Sequence, residues 1–171
     1  MKTLVIVAHP HLERSIINKT WLKRLKEENV AVHDLYAAYP DFKIDVEKEQ
    51  ALVLGYDRIV FQFPFYWYSS PALLKEWQDV VLTYGWAYGS NGTKLHGKEF
   101  MIATSTGGPK EAYQEGGYNR YPMSELLRPF QAMANLTGMK FLPPFMLQGV
   151  RNLTDEAIAA SAEEYAKLLQ Q

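Results

Sequence analysis

The chain has 171 residues, 47% of them hydrophobic and 22% charged; this suits one folded domain over residues 1–171 and excludes disorder or two ordinary domains. It has no cysteine, which excludes disulfides, thiolate metal sites, iron–sulfur clusters and cysteine nucleophiles, so any redox work needs a bound cofactor. A net charge of −1 offers no basic excess for a nucleic acid.

The first apolar run, Leu4 to Ala8, is too short for a signal-peptide core, and no run nears the roughly 18 residues needed to cross a bilayer. A cytoplasmic protein is the expectation. Thr3 to Ala8 reads as a strand buried on both faces. Ser15 can cap a helix to about Glu28, with Ile16, Ile17, Trp21, Leu22 and Leu25 inward. Its basic residues Lys19, Lys23, Arg24 and Lys26 run into Glu27 and Glu28, as on a solvated face. Val30 to Leu35 is a second strand. Asp45 can cap a short helix that Gly55 stops.

Arg58 to Phe63 is the third strand, ending at Pro64. Pro71 opens a helix to about Leu82. After a loop from Gly85 to Gly97, Glu99 to Thr104 is the fourth strand, and Ser105 to Pro109 breaks it. Pro129 predicts a kink, or a helix that begins there and ends at Gly138. Lys140 to Leu147 is a fifth strand interrupted by Pro143-Pro144, and Thr154 caps a last helix, Asp155 to Gln170. Strict alternation of strand and helix predicts an α/β three-layer sandwich: a five-stranded parallel sheet, flavodoxin-like order 2-1-3-4-5, with helices on both faces. Ligands of such sheets bind beyond the carboxyl ends of the strands, near the switch point.

Three loops lie there. His9 to Asn18 leads into a helix N-terminus, a natural phosphate site, with donors on His9, Ser15 and Asn18; it has no glycine, so it is neither a Walker A loop nor a dinucleotide fingerprint. The plain alternative makes Ser15 an N-cap and the histidines surface residues. After the third strand come Pro64, Phe65, Tyr66, Trp67 and Tyr68, within a chain that is 13% aromatic. They can fill a core or subunit interface, or wall a flat aromatic ligand. After the fourth come Ser105, Thr106, Gly107 and Gly108, with Tyr113 beyond. This is an ordinary glycine turn, or a backbone edge open to a ring carbonyl or developing negative charge.

The run Phe61 to Trp77 (FQFPFYWYSSPALLKEW) resembles the signature of the flavin-dependent NAD(P)H:quinone oxidoreductases, the DT-diaphorase-like group. The segments AHPHLERSIIN and TSTGGPKEAYQEGGYN match that family in place, and the likeness spans nearly the whole chain. It implies a non-covalent flavin, FMN on grounds of length with FAD as the alternative. His9, Ser15, Ile17 and Asn18 would then serve its phosphate side. Pro64 to Tyr68 would line its ring, and Ser105 to Gly108 its polar edge. Tyr113 would sit beside the flavin, with the Gly107–Gly108 backbone stabilising the reduced ring. The animal enzymes pair that tyrosine with a histidine; Asn119 stands there in this sequence, in place to hydrogen-bond a reduced flavin.

The resemblance further implies ping-pong hydride transfer from NAD(P)H to a quinone, the activity of an NAD(P)H dehydrogenase (quinone), in a homodimer. Short members also include ancillary subunits of glutathione-gated potassium efflux systems, and Phe141 to Phe145 and Gly85 to Gly89 look like theirs. That reading adds a membrane partner, with the chain peripheral to the inner membrane. Two other readings fit worse. The segment His9 to Glu13 is similar to the AHPDDE motif of zinc deacetylases, but that site needs carboxylates where His11 and Leu12 stand and a later His-x-x-His pair, and His33 and His96 do not form one. An electron-carrier flavodoxin is usually strongly acidic.

Overall fold

The computed structural model describes all 171 residues. In the sheet, β1 (Thr3–Val7), β2 (Ala31–Asp34), β3 (Arg58–Pro64) and β4 (Glu99–Thr106) run parallel, in the order β2-β1-β3-β4. The fifth strand is split, as its two prolines predict. Residues Lys140–Phe141 (β5) and Phe145–Gln148 (β6) both pair in parallel with β4, and Pro143-Pro144 fall between them. The flavodoxin-like order is therefore observed, with the edge strand in two pieces.

The strands read as unbroken apolar runs because both faces are covered. Leu4, Ile6, Phe61, Phe63, Phe100 and Ile102 enter one core. It is closed by α2 (Leu35–Ala38), α3 (Val46–Leu54), α4 (Ala72–Val81), α5 (Met123–Leu126) and α6 (Arg128–Leu136). Val5, Val7, Val60, Met101 and Ala103 enter the other, beneath α1 (Ile17–Glu27) and α7 (Asp155–Gln170). There Trp21 donates to Ser161 Oγ at 2.9 Å, and Phe145 stacks on Tyr165 at 5.0 Å. Each such buried aromatic or aliphatic side chain stabilises the fold by roughly 2–3 kcal/mol.

The caps fall where the sequence puts them. Ser15 Oγ accepts from Asn18 N at 3.1 Å, Asp45 Oδ1 from Lys48 N at 3.1 Å, and Thr154 Oγ1 from Ala157 N at 3.2 Å. Two boundaries differ. Ser105 and Thr106 do not break β4, because β6 pairs alongside them and satisfies their backbone. The helix expected to start at Pro129 starts at Arg128, with Pro129 in its first turn, where a missing N–H costs nothing. No helix is long and apolar enough to cross a membrane.

One buried acid was not anticipated. Glu49 of α3 is fully enclosed. Its carboxylate accepts from Tyr39 OH at 2.7 Å and Trp77 Nε1 at 2.8 Å. His33 Nε2 stands 3.0 Å from its Oε1. Burial pushes the carboxyl up, but the contacts from His33, Tyr39 and Trp77 outweigh it, and the net shift is below the ordinary 4.5. This ties β2, α3 and α4 together.

A carboxyl lowered in the folded state stabilises fully above its unfolded value and loses that contribution as pH falls through the folded value. Wild-type protein should therefore lose more stability between about pH 7 and pH 3 than Glu49→Gln, as read from urea midpoints. Glu49→Ala leaves two buried donors unsatisfied and should cost about 2–4 kcal/mol at neutral pH.

Candidate functional site

The carboxyl ends of β1, β3 and β4 open on one edge. After β1, a single helical turn (Leu12–Arg14) leads to α1. The amides of Ile16 and Ile17 donate to nothing in the chain, as expected at a helix start. His9 Nδ1 accepts from His11 N at 3.0 Å, which leaves its proton on Nε2. Burial, chiefly, holds the His9 imidazole below its ordinary 6.5, so it is neutral at pH 7. Asn18 is 1% exposed, and its Oδ1 accepts from Gln62 Nε2 at 3.2 Å. It supports the loop from below, with its side-chain nitrogen free of partners in the chain. Ile17 is buried against the core.

After β3 the chain makes a tight reversal. Tyr66 and Ser69 exchange both backbone hydrogen bonds, at 3.2 and 2.9 Å. Trp67 (φ 45°) and Tyr68 (φ 62°) between them are left-handed, the backbone of a turn that normally takes Asn or Gly. Large aromatics there are strained by about 1 kcal/mol or more each. Trp67 is 92% exposed, so burial within the chain does not offset its strain. Tyr68 OH donates to Asn119 Oδ1 at 2.8 Å, and Phe65 meets Tyr113 edge-on at 6.1 Å. His9 lies edge-on to Tyr66 at 6.3 Å and so joins the first loop to this one.

After β4 comes the glycine edge. Gly107 and Gly108 donate no amide hydrogen to any acceptor in the chain. The Gly108 carbonyl is taken by Thr106 Oγ1 and Gly149 N, each at 2.8 Å. A Cβ on Gly108 would lie 2.9 Å from Tyr118 OH and 3.2 Å from Tyr113; one on Gly107 would lie 3.2 Å from Arg151 Nε. Burial, chiefly, raises the Tyr113 hydroxyl above its ordinary 10.0, so it stays a donor at neutral pH. Ser105 and Thr106 are buried beneath, and the Ser105 carbonyl accepts from Phe65 N at 2.9 Å.

These parts enclose a cleft of about 280 Å³, lined by Phe65, Trp67, Tyr68, Tyr113, Tyr118 and Asn119 with Gly107, Gly108 and Arg151. The structure thus brings the aromatic turn, the glycine edge, Tyr113 and Asn119 together. His9, Ser15, Ile17 and Asn18 stand beside this cleft rather than in it. Sequence reasoning missed Gln62 and Arg151. Arg151 follows the fifth strand, whose carboxyl end opens on the same edge, yet only the loops after the first, third and fourth strands drew attention. A larger groove of about 660 Å³ lies between the split edge strand and α7. It offers none of the converging free amides.

Against known families, the profile described as "Flavodoxin-like fold" matches residues 1–169. The chain belongs to this family. Among curated flavodoxin-like relatives, the "Uncharacterized NAD(P)H oxidoreductase YrkL" of Bacillus subtilis (strain 168) is 59% identical over 170 residues, 99% of this chain and 98% of that protein. The "Glutathione-regulated potassium-efflux system ancillary protein KefG" of Yersinia enterocolitica is 46% identical over 99% of this chain and 92% of that one. Among solved structures, general stress protein 14 of Treponema denticola, in complex with FMN, superposes with a TM-score of 0.94 at 40% identity, covering 99% and 98% of the two chains. An NADPH-quinone reductase from P. pentosaceus gives 0.89 at 40% identity, covering 98% and 97%.

Trp67→Asn relieves a left-handed aromatic without removing a buried contact. It should stabilise the isolated chain by about 0.5–1 kcal/mol, read as a rise in urea midpoint at unchanged slope.

Proposed function

We propose that this chain is a flavin-dependent NAD(P)H:quinone oxidoreductase that binds FMN at the carboxyl edge of its sheet. The observation that carries the reading is the glycine edge: two backbone amides without acceptors, facing an aromatic turn, in a cradle that a Cβ at Gly107 or Gly108 would fill. The residues present fit a flavin. The free amides of Ile16 and Ile17, the α1 dipole and His9 Nε2 would hold its phosphate, with Ser15 and Asn18 shaping that loop. Phe65 to Tyr68, with Pro64 at the end of β3, would wall the ring, and Ser105 to Gly108 its polar edge. The 40% identity to an FMN-bound structure supports FMN over FAD.

Bound FMN would supply the redox chemistry, taking hydride from NAD(P)H and passing it to a quinone in a ping-pong cycle. The chain's own part is positional and electrostatic. The aromatic turn excludes water and offers a flat slot to both planar substrates. The Gly107 and Gly108 amides are fixed donors for negative charge, and cost no reorganisation when that charge develops. Tyr113 holds a proton at its hydroxyl beside them; Tyr68 holds Asn119 in place.

The proposal takes the chain as one flavin-binding domain acting in the cytoplasm, with two copies pairing through the exposed Trp67 region, next to the cleft. A second reading rests on the 46% identity to KefG: the chain also docks on a membrane potassium-efflux protein while keeping this activity. Co-purification with such a transporter tests it.

Purified protein should be yellow, release FMN on denaturation and oxidise NAD(P)H only with a quinone present; a colourless protein that FMN and FAD fail to reconstitute would refute the reading. Gly107→Val should fold, because the atoms nearest its Cβ belong to the Arg151 side chain rather than the backbone, yet take up no FMN. Tyr113→Phe should retain FMN and lose about tenfold or more in turnover. With the Tyr113 hydroxyl raised, wild-type kcat should show no ionisation of this group up to about pH 10.

A further inference from the structure

Of the residues that line the cleft, Arg151 alone carries a charge. Its guanidinium lies over the glycine edge, where a Cβ on Gly107 would meet Nε at 3.2 Å, Nη2 at 3.4 Å and Cζ at 3.5 Å. Its side chain is exposed and, like those of Arg120 and Arg128, makes no ion pair within 4.0 Å; of these three only Arg151 lines the cleft. Nor does its side chain donate a hydrogen bond within the chain. Its planar fork of donors is therefore free to pair with an anionic ligand in the cleft.

The backbone puts it there. Gly149 adopts φ 69° and donates to the Gly108 carbonyl at 2.8 Å. A residue with a side chain would be strained at this φ. The clamp fixes the turn Val150–Asn152 against the glycine edge and aims Arg151 into the cleft. Three donor groups without acceptors therefore converge: the amides of Gly107 and Gly108, and the Arg151 guanidinium. No carboxylate lines the cleft to cancel them. Such a site favours a ligand that gains negative charge over the same ligand when neutral.

We propose that Arg151 is the counter-charge for the negative charge that reduction adds to FMN at the glycine edge, and that it raises the reduction potential of the bound cofactor. This rests on the flavin reading given above. Hydride from NAD(P)H brings two electrons and one proton and leaves NAD(P)⁺, so the reduced cofactor carries one more negative charge than the oxidised one. Returning those two electrons to a quinone, with the hydride proton and one more from solvent, restores the starting charge and yields the quinol. Arg151 meets the extra charge in one half of the cycle and its absence in the other. It therefore binds the two redox states unequally, and that inequality is the potential shift.

The test is the midpoint potential of FMN-loaded wild-type protein, Arg151→Gln and Arg151→Lys, by spectroscopic titration against a reference dye, with FMN retention measured alongside. Arg151→Gln should hold oxidised FMN nearly as well as wild type and reduced FMN at least about tenfold less well. For a two-electron couple that lowers the potential by about 30 mV. Arg151→Lys, a point charge without the fork, should fall between. An unchanged potential in Arg151→Gln, whether FMN affinity is kept or falls equally for both redox states, would overturn the proposal; if it came with a raised KM for NADPH, Arg151 would instead belong to the phosphates of the hydride donor. If wild-type protein takes up no flavin at all, the flavin reading itself fails and this inference falls with it.

Discussion

The register between β3 and β4 governs the site. Seven residue pairs run in step from Arg58 beside Glu99 to Pro64 beside Ser105. The near end is locked by the part-buried ion pair of Arg58 with Glu99 at 2.8 Å, at the amino edge of the sheet. The far end delivers the aromatic turn and the glycine edge side by side. The Phe65 amide then continues the ladder onto the Ser105 carbonyl. A slip of one residue would turn every side chain of these strands to the opposite face, and both cores would be lost with the cleft. The same apolar alternation that buries Phe61 on one face and Val60 on the other thus fixes the geometry of the ligand edge.

The aromatic excess divides along this ladder. Phe61 and Phe63 lie within β3 and pack edge-on or tilted against Trp77, Phe100 and Phe130. These rings are core. Past Phe65 the residue types continue, but the backbone leaves the sheet and Tyr66, Trp67 and Tyr68 are exposed. A single run of aromatic letters therefore serves two purposes, and the change falls where the ladder ends. The left-handed Trp67 and Tyr68 mark it, since their conformation is held only by the paired amides of Tyr66 and Ser69 and by the Tyr68–Asn119 hydrogen bond.

Much of this was legible in the sequence, for local reasons. β-branched apolar runs, capping residues and proline positions gave the order of strands and helices, and strand order then gave the ligand edge. Ser15, Asp45 and Thr154 act within three residues of themselves, so their roles can be read without a fold. What escaped depends on distance in the chain. Glu49 reads as a solvated helix residue until α3 is laid against Trp77 and Tyr39. Gln62 looks like an ordinary strand residue until Asn18 is placed beneath the first loop. Arg151 is one arginine in a polar turn until the Gly149 clamp sets it over Gly107, more than forty residues away. Ser105 and Thr106 read as strand breakers because the partner that keeps them in the sheet, β6, lies beyond two prolines.

Those prolines also bear on self-association. β5 and β6 form an outer edge of the sheet, and an outer edge with free backbone groups invites another strand to add to it. Here it offers two residues, a gap held by Pro143-Pro144, and four more. Neither stretch is long enough to template a stable added strand, and in the gap the prolines have no amide hydrogen while that of Leu142 is spent on the Phe100 carbonyl. The fold can thus carry an unbroken apolar sheet to its margin without becoming a seed for fibrils.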